Sequence, residues 1–333
     1  MIYLSIFFTI VLSFSLIFIC NKKNFLLHKS GDNHQEFASH SNTPLIGGIS
    51  IFCSIIFSNF YNLNLFFVFI SSIFIIGLLS DLKKINSPIL RLTLQLFTIA
   101  LGVYSSNIIL TGTRLILLDY LLNNYYFAIL FTSFCILIIV NGTNFIDGIN
   151  SLVIGYYIII SSALLFLQYK GFFLSFNFSL NLLLMCLIIL YYLNLFNKLY
   201  LGDSGSYLLG FIFSIELINF YLQNVISPFF IILLLWYPAF ENLFSILRKS
   251  NFKKSPIDPD TNHLHQLIFS YFIVKNLTIF KANNITGILI NIYNSIIVMI
   301  SLIDPLNTEL QIILIIINLF VYTFLYMKLF KYK

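Results

Sequence analysis

Charge is what this sequence lacks. Of its 333 residues only 9% are Asp, Glu, Lys or Arg, against about 25% in a soluble globular domain. That shortage excludes a water-soluble fold, because too few ionised side chains are present to cover a globule. Acidic residues are scarcer than basic ones, 12 against 18, and the formal net charge is +6. The surplus is no nucleic-acid footprint, since the cations sit in a few loops between apolar runs. Cysteine is rare as well. Cys20, Cys53, Cys135 and Cys186 stand singly in or beside apolar runs, which excludes a disulfide framework and a zinc spacing and leaves them as packing residues.

What is present is 59% hydrophobic, with a mean hydropathy of +0.95. This is the composition of a polytopic membrane protein, an all-α bundle built from runs of about 20 apolar residues. Residues 2 to 20 carry no charge and are followed at once by Lys22 and Lys23. A signal peptide carries its positive charge before the apolar run, so this stretch reads as an uncleaved first span. From Leu45 to Ser80 no charge occurs, which predicts two helices turning near 62–64. Further spans are predicted at 92–110, 120–140, 152–168, 178–197, 206–222, 228–246, 284–303 and 310–327. Leu267 to Phe280, interrupted by Lys275, suits a helix lying in the interface. The expectation is a single transmembrane domain over 1–333, with 10–11 membrane helices. With the amino terminus outside, every Lys and Arg except Arg114 and Lys170 falls on the cytoplasmic side.

The polar segments then gather on that same side. Asn141 to Leu152 reads NGTNFIDGINSL. At helical spacing Asn141, Asn144 and Asp147 stand i, i+3, i+6 and drift slowly around one face. Two amides and a carboxylate there suit a hydrated divalent cation or a phosphate sugar; a polar turn between spans is the other reading. Tyr200 to Ser206 reads YLGDSGS. Glycines such as Gly202 let the backbone approach a ligand, and Asp203 or Ser204 can cap a helix whose amino end suits a metal-bound diphosphate. A plain helix cap is the alternative. Asp81 closes the third span beside Lys83 and Lys84, with Arg91 and Gln95 beyond; a solvated span end explains the lysines equally well. His263 and His265 follow a proline-punctuated loop, and no cysteine or third histidine completes a metal set, so a diphosphate clamp suits them better. His28, His34 and His40 read as solvated loop residues. Glu216 has no partner visible in the sequence, and Glu241 is expected to surface near the inner end. A transporter would instead place its polar residues at the midplane, on broken helices.

TPLIGG (43–48), GLLSDLKK with RLTLQ (77–84, 91–95), NGTNFIDGINSL (141–152), LGDSGSYLLGF (201–211) and SPIDPDTNHLHQLI (255–268) follow one another along nearly the whole chain. In that order they resemble the polyprenyl-phosphate N-acetylhexosamine-1-phosphate transferases, bacterial glycosyltransferase family 4, which also contains the phospho-N-acetylmuramoyl-pentapeptide transferase. Tyr237-Pro238 and the stretch from Glu241 to Ser245 look like the branch serving surface polysaccharides such as O-antigen and other cell-wall polymers. The resemblance implies transfer of a sugar-1-phosphate from a UDP-N-acetylhexosamine to undecaprenyl phosphate, with release of UMP, at the cytoplasmic face of a bacterial inner membrane. It further implies Mg²⁺, replaceable by Mn²⁺, on Asn144 and Asp203, with Asp81 and Asp147 in support. His263 and His265 would contact the diphosphate, and Thr43, Gly47 and Gly48 would shape the pocket wall. Lys83, Arg91, Asn141, Gly202 and Ser204 would complete the substrate pocket. Membrane lipid is an expected partner, and a homodimer is left open. A lipid-linked sugar transporter and a carrier-binding relative without turnover are the alternatives. The chain departs from the family pattern at Ser80, where a second acid usually precedes Asp81, at Gln266, where many relatives have histidine, and at Ser151, where glycine is usual.

Overall fold

The computed structural model describes residues 2–27, 43–60, 64–251 and 262–332. His28, His34, His40 and the 255–261 part of the last motif lie outside the described residues. The helices are α1 (Ile2–Lys23), α2 (Gly47–Ser58), α3 (Leu65–Asp81), α4 (Pro88–Ser106), α5 (Ile116–Leu122), α6 (Tyr125–Phe145), α7 (Leu152–Tyr169), α8 (Leu180–Leu195), α9 (Gly202–Gln223), α10 (Pro228–Leu234), α11 (Trp236–Asn251), α12 (Leu264–Val274), α13 (Ile279–Ser301) and α14 (Thr308–Leu329). Among the described residues there is no strand, only two isolated bridges. Seven helices are long and apolar enough to cross a membrane, eight if α10 and α11 count as one bent span. The remaining predicted spans fall on shorter helices, α2, α3 and α8. At 12 residues, α2 is only about 18 Å long, well short of a hydrocarbon core of about 30 Å.

Two of the short helices, α2 and α3, pack with the longer α6 against α9, whose side chains are buried almost from end to end. Close approach is what makes this possible. At Gly77 a Cβ would stand 2.5 Å from the Ser204 Cα, so α3 and α9 touch backbone to backbone only because that side chain is missing. Phe211, Phe213 and Tyr157 fill the space beside α9, with the Tyr157 and Phe213 rings stacked at 4.6 Å.

Three differences from the sequence expectation bear on the site. The sixth helix runs to Phe145 rather than ending at 140, so Asn141 and Asn144 lie on it. Asp147 falls in the turn beyond its cap, Ile146, and does not share their helical face. The ninth begins at Gly202 rather than 206, so Asp203 and Ser204 sit in its first turn and cannot be its cap. The predicted span 228–246 is broken, α10 and α11 being bent by 78°. Pro238 is the cause: it brings no N–H, and its ring crowds the carbonyl four residues back, Leu234, where α10 stops. That freed carbonyl accepts the Tyr156 hydroxyl at 2.7 Å. The bend lays Pro238 against α6 at Gly142, where a Cβ would collide with the Pro238 carbonyl.

Candidate active site

The site is built on the amino end of α9. The first N–H groups of a helix have no partner within it, and here two carboxylates from other parts of the chain supply them. Asp81, the last residue of α3, accepts the Asp203 N–H on Oδ1 at 2.8 Å and the Ser204 N–H on Oδ2 at 3.0 Å. The Gly202 N–H is hydrogen-bonded to Asp147 in the α6–α7 turn. Negative charge is also favoured there by the helix dipole. Gly202 has φ +75°, the left-handed conformation that glycine accepts without strain.

With its backbone held this way, the Asp203 side chain faces the α4 and α6 side. Its Oδ2 accepts the Ser80 hydroxyl at 2.5 Å and Arg91 Nη1 at 2.9 Å, and the same Arg91 nitrogen donates to Ser80 Oγ at 2.7 Å. Its Oδ1 accepts Asn144 Nδ2 at 2.7 Å, which also donates to Ser206 Oγ at 3.1 Å. The Arg91 and Asp203 side chains remain about a quarter exposed, 25% and 27%, so a ligand can reach them. Asp147 is in a different condition. Loss of water, and then the charges of Asp203 and Asp81, push its carboxyl well above the usual carboxylate range, against the opposing Gly202 N–H.

Three carboxylates and one amide thus meet around a single helix end, with Arg91 as the cation paired to Asp203. These are hard oxygen donors of the kind Mg²⁺ takes. Half a turn of the Asn144 amide exchanges Nδ2 for Oδ1, so the pair that now hydrogen-bonds can offer two oxygens to one cation. Among the described residues no three His, Cys, Asp or Glu side chains form a closed metal set. The protein's share would be one or two ligands, the usual case where substrate phosphates and water provide the rest.

The other sequence-predicted residues divide between this centre and its support. Asn141, one turn from Asn144, donates to Gln95 Oε1 and to the Leu137 carbonyl, both at 3.0 Å. Lys83 is exposed in the turn after α3, with φ 56°. Thr43 is buried and donates its hydroxyl to the Asn197 carbonyl at 3.2 Å. The Gly47 and Gly48 N–H groups donate to the Tyr200 and Leu201 carbonyls at 3.0 and 3.1 Å, which docks the start of α2 on the segment leading into α9. Ser204 is fully buried, so its backbone N–H rather than its exposure ties it to the centre.

His263 and His265 lie beside the same loop. The His263 ring is 5.4 Å from Phe145, the neighbour of Asn144, and His265 Nε2 is 3.5 Å from where a Gly148 Cβ would be. Burial holds the His265 imidazole below its usual range, favouring the neutral ring, although Glu241 opposes this. Glu241 does not surface. It is fully buried, with Oε2 2.9 Å from His263 Nδ1. The rule that an acid within an apolar run needs a partner was the signal for it. Glu216 likewise has a partner, Asn177, whose backbone and side-chain nitrogens both stand 3.2 Å from Oε1.

Sequence reasoning missed a group of asparagines that fastens the turn between α6 and α7. The Asn150 N–H donates to Asn283 Oδ1 at 2.7 Å, its amide donates to Asn197, and the Ser151 N–H donates to Asn194 Oδ1 at 2.5 Å. Asn291 donates to the Ser151 carbonyl at 3.0 Å. Ser151 itself has φ 65°, a left-handed position where glycine costs least.

Fold and site together define an all-α, multi-pass membrane protein whose acidic and amide groups converge at one end of its helix bundle. Residues 63–221 match the profile of glycosyl transferase family 4. The chain is 29% identical over 240 residues to the undecaprenyl-phosphate alpha-N-acetylglucosaminyl 1-phosphate transferase of Thermotoga maritima, covering 70% of this chain and 69% of that one. A probable undecaprenyl-phosphate N-acetylglucosaminyl 1-phosphate transferase of Bacillus subtilis is 27% identical over 255 residues, 71% of this chain and 68% of its own. An Escherichia coli O157:H7 protein with the Thermotoga protein's name is 26% identical over 248 residues, 68% and 65%.

Proposed function

We propose that this protein transfers an N-acetylhexosamine-1-phosphate from a UDP-sugar to undecaprenyl phosphate, releasing UMP and starting a lipid-linked surface polysaccharide. The observation that carries this reading is the convergence of Asn144, Ser80 and Arg91 on Asp203 at a helix end capped by Asp81 and Asp147. In the reaction an acceptor phosphate oxygen attacks the sugar-bearing phosphorus, a new P–O bond forms, and the bond to UMP breaks with its electrons on the UMP oxygen. Such transfers depend mainly on positioning and charge stabilisation. Mg²⁺, or Mn²⁺ in its place, would be held by Asn144 and Asp203 and would supply charge neutralisation for the diphosphate. Asp81 and Asp147 fix the α9 backbone, so the Asp203 carboxylate has one position to occupy. Arg91 brings a permanently charged fork suited to phosphate oxygens. His263 would meet the diphosphate from the other side of the Asp147 turn; His265, expected to do the same, is fully buried and instead stacks behind the His263 ring at 5.5 Å, and Lys83 extends the positive edge.

The same reading places the site at the cytoplasmic face of a bacterial inner membrane with the amino terminus outside, supported by the distribution of Lys and Arg among the loops. The whole chain acts as one domain in this proposal. The test is UMP release by membranes carrying the protein, with a panel of UDP-N-acetylhexosamines and their 6-deoxy forms. Release with at least one donor, dependent on added undecaprenyl phosphate and on Mg²⁺, is the expected result. Silence across the panel, or release that ignores the acceptor, refutes the assignment.

A further inference from the structure

We propose that Glu241 is a positioning residue for the His263-Leu264-His265 segment, turning the far edge of the His263 ring toward the donor's diphosphate. This rests on the transferase reading above. A buried carboxylate is costly unless its oxygens are met, and both oxygens of Glu241 are met by this segment. Oε2 lies 2.9 Å from His263 Nδ1, Oε1 accepts the Leu264 N–H at 3.1 Å, and His265 Nδ1 stands 3.8 Å from Oε1. The Tyr237 and Tyr322 hydroxyls lie near the same carboxylate. Gln266 completes the hold by accepting the His263 N–H on its side chain at 3.0 Å.

A carboxylate only accepts hydrogen bonds, so Nδ1 is the nitrogen that carries the proton toward Glu241. The hydrogen bond at one ring nitrogen sets the role of the other, and Nε2 is left on the edge turned away from Glu241. On the site side, the His263 ring stands over Phe145, and Lys249 Nζ lies 5.9 Å from that same aromatic ring. The segment is therefore pinned from α11 and laid against the end of α6, which bears Asn144, and the turn that bears Asp147. The Pro238 bend contributes by setting the direction of α11, which brings Glu241 to this place.

The test uses full-length protein purified in detergent. Glu241→Gln keeps the side chain's size and an oxygen for the Leu264 N–H, but its amide nitrogen cannot accept from Nδ1. Glu241→Leu removes the buried charge altogether and serves as the second variant should the first not accumulate. One arm reads the imidazole ¹⁵N resonances, with the His263 signals identified by their loss in His263→Asn. Wild-type protein should show His263 protonated on Nδ1, and the variant should lose that pattern. The second arm reads kinetics: KM for the UDP-sugar should rise at least tenfold while kcat changes less than threefold, the mark of lost binding shared by ground and transition states. In a His263→Ala background the same change should cost less than twofold. Unchanged His263 resonances, or penalties that simply multiply in the double variant, overturn the proposal. A wild-type protein that turns over no UDP-sugar refutes the transferase reading, while the resonance arm still decides whether Glu241 sets the His263 ring.

Discussion

Ser80 is where a base could have been, and replacing it measures whether one is needed. Its hydroxyl donates to Asp203 Oδ2 at 2.5 Å and accepts from Arg91 at 2.7 Å, while Arg91 reaches Asp203 directly at 2.9 Å. Ser80→Ala removes the bridging hydroxyl and leaves the direct pair in place. A typical hydrogen bond contributes about 0.5–1.5 kcal/mol net; that range, rather than the larger one for charged partners, applies here because Arg91 and Asp203 are a quarter exposed and water can take the hydroxyl's place, and 1.4 kcal/mol is about a factor of ten. The expected loss is therefore roughly two- to tenfold. Removing a general base would cost about 10²- to 10⁴-fold, so the two cases are separated by at least a decade. The chemistry supports the smaller figure. The acceptor is a phosphate monoester whose second pKa is about 6; at pH 7.5 it is already mostly a dianion and needs no deprotonation. Ser80→Asp would bring a further carboxylate against Asp203, a repulsion of about 4 kcal/mol for charges 4 Å apart at intermediate dielectric. It should not accelerate turnover. The assay is UMP release over pH 5.5 to 8.5, where the wild-type rate should fall below about pH 6 with acceptor protonation. A wild-type protein inactive with every donor and rescued by Ser80→Asp would refute this reasoning.

Asp203→Ala should abolish UMP release while the protein still inserts in membranes; full turnover in that variant, or normal turnover in excess EDTA, would remove the metal from the mechanism. The Asp147 carboxyl is held above its ordinary range, so the folded state binds its proton more tightly than the unfolded one and loses stability as pH rises through the folded value. Asp147→Asn in EDTA should accordingly raise the thermal midpoint, and by more at pH 8 than at pH 5.5; a gap that does not grow with pH would contradict this. Ser151→Gly relieves a left-handed serine with a buried, unpartnered hydroxyl; a net gain of about 1 kcal/mol is expected from the αL penalty less glycine's extra chain entropy, read as a higher thermal midpoint. A single cysteine at position 147 of a cysteine-free variant should resist membrane-impermeant thiol reagents in intact cells, and labelling from outside would reverse the orientation.

Much of the fold was legible because apolar runs and their flanking charges are strong local signals, and α7 and α8 fall close to where those signals put them. The amino end of α9 was not. Gly202, Asp203 and Ser204 look like a loop, and what makes them helical is a carboxylate from Asp81 that nothing in the local sequence reveals. The convergence of Asp81, Asn144 and Asp203 was readable as a set of motifs, but its geometry was not. A step of three residues turns about 60° around a helix, enough to send Asn141 to Gln95 on α4 while Asn144 meets Asp203. Glu241 was visible as an acid in need of a partner, yet the partner stands across a proline-punctuated loop. Pro238 was read as a family marker, whereas its physical effect is to stop α10.

The asparagines that fasten the turn between α6 and α7 have a consequence for how the protein is made. Asn283 and Asn291 belong to α13, so two of the turn's anchors leave the ribosome well over a hundred residues after the turn does. Until α13 is inserted, Asn150 and Ser151 lack those partners, and the turn carrying Asp147 is tethered only from α8 and α9. The chain can thread most of its helices into the bilayer before the turn after α6 is fully fastened. A nascent chain halted before α13 would hold Asp81, Asn144 and Asp203 together at the start of α9 but would leave the end of the Asp147 turn without two of its anchors.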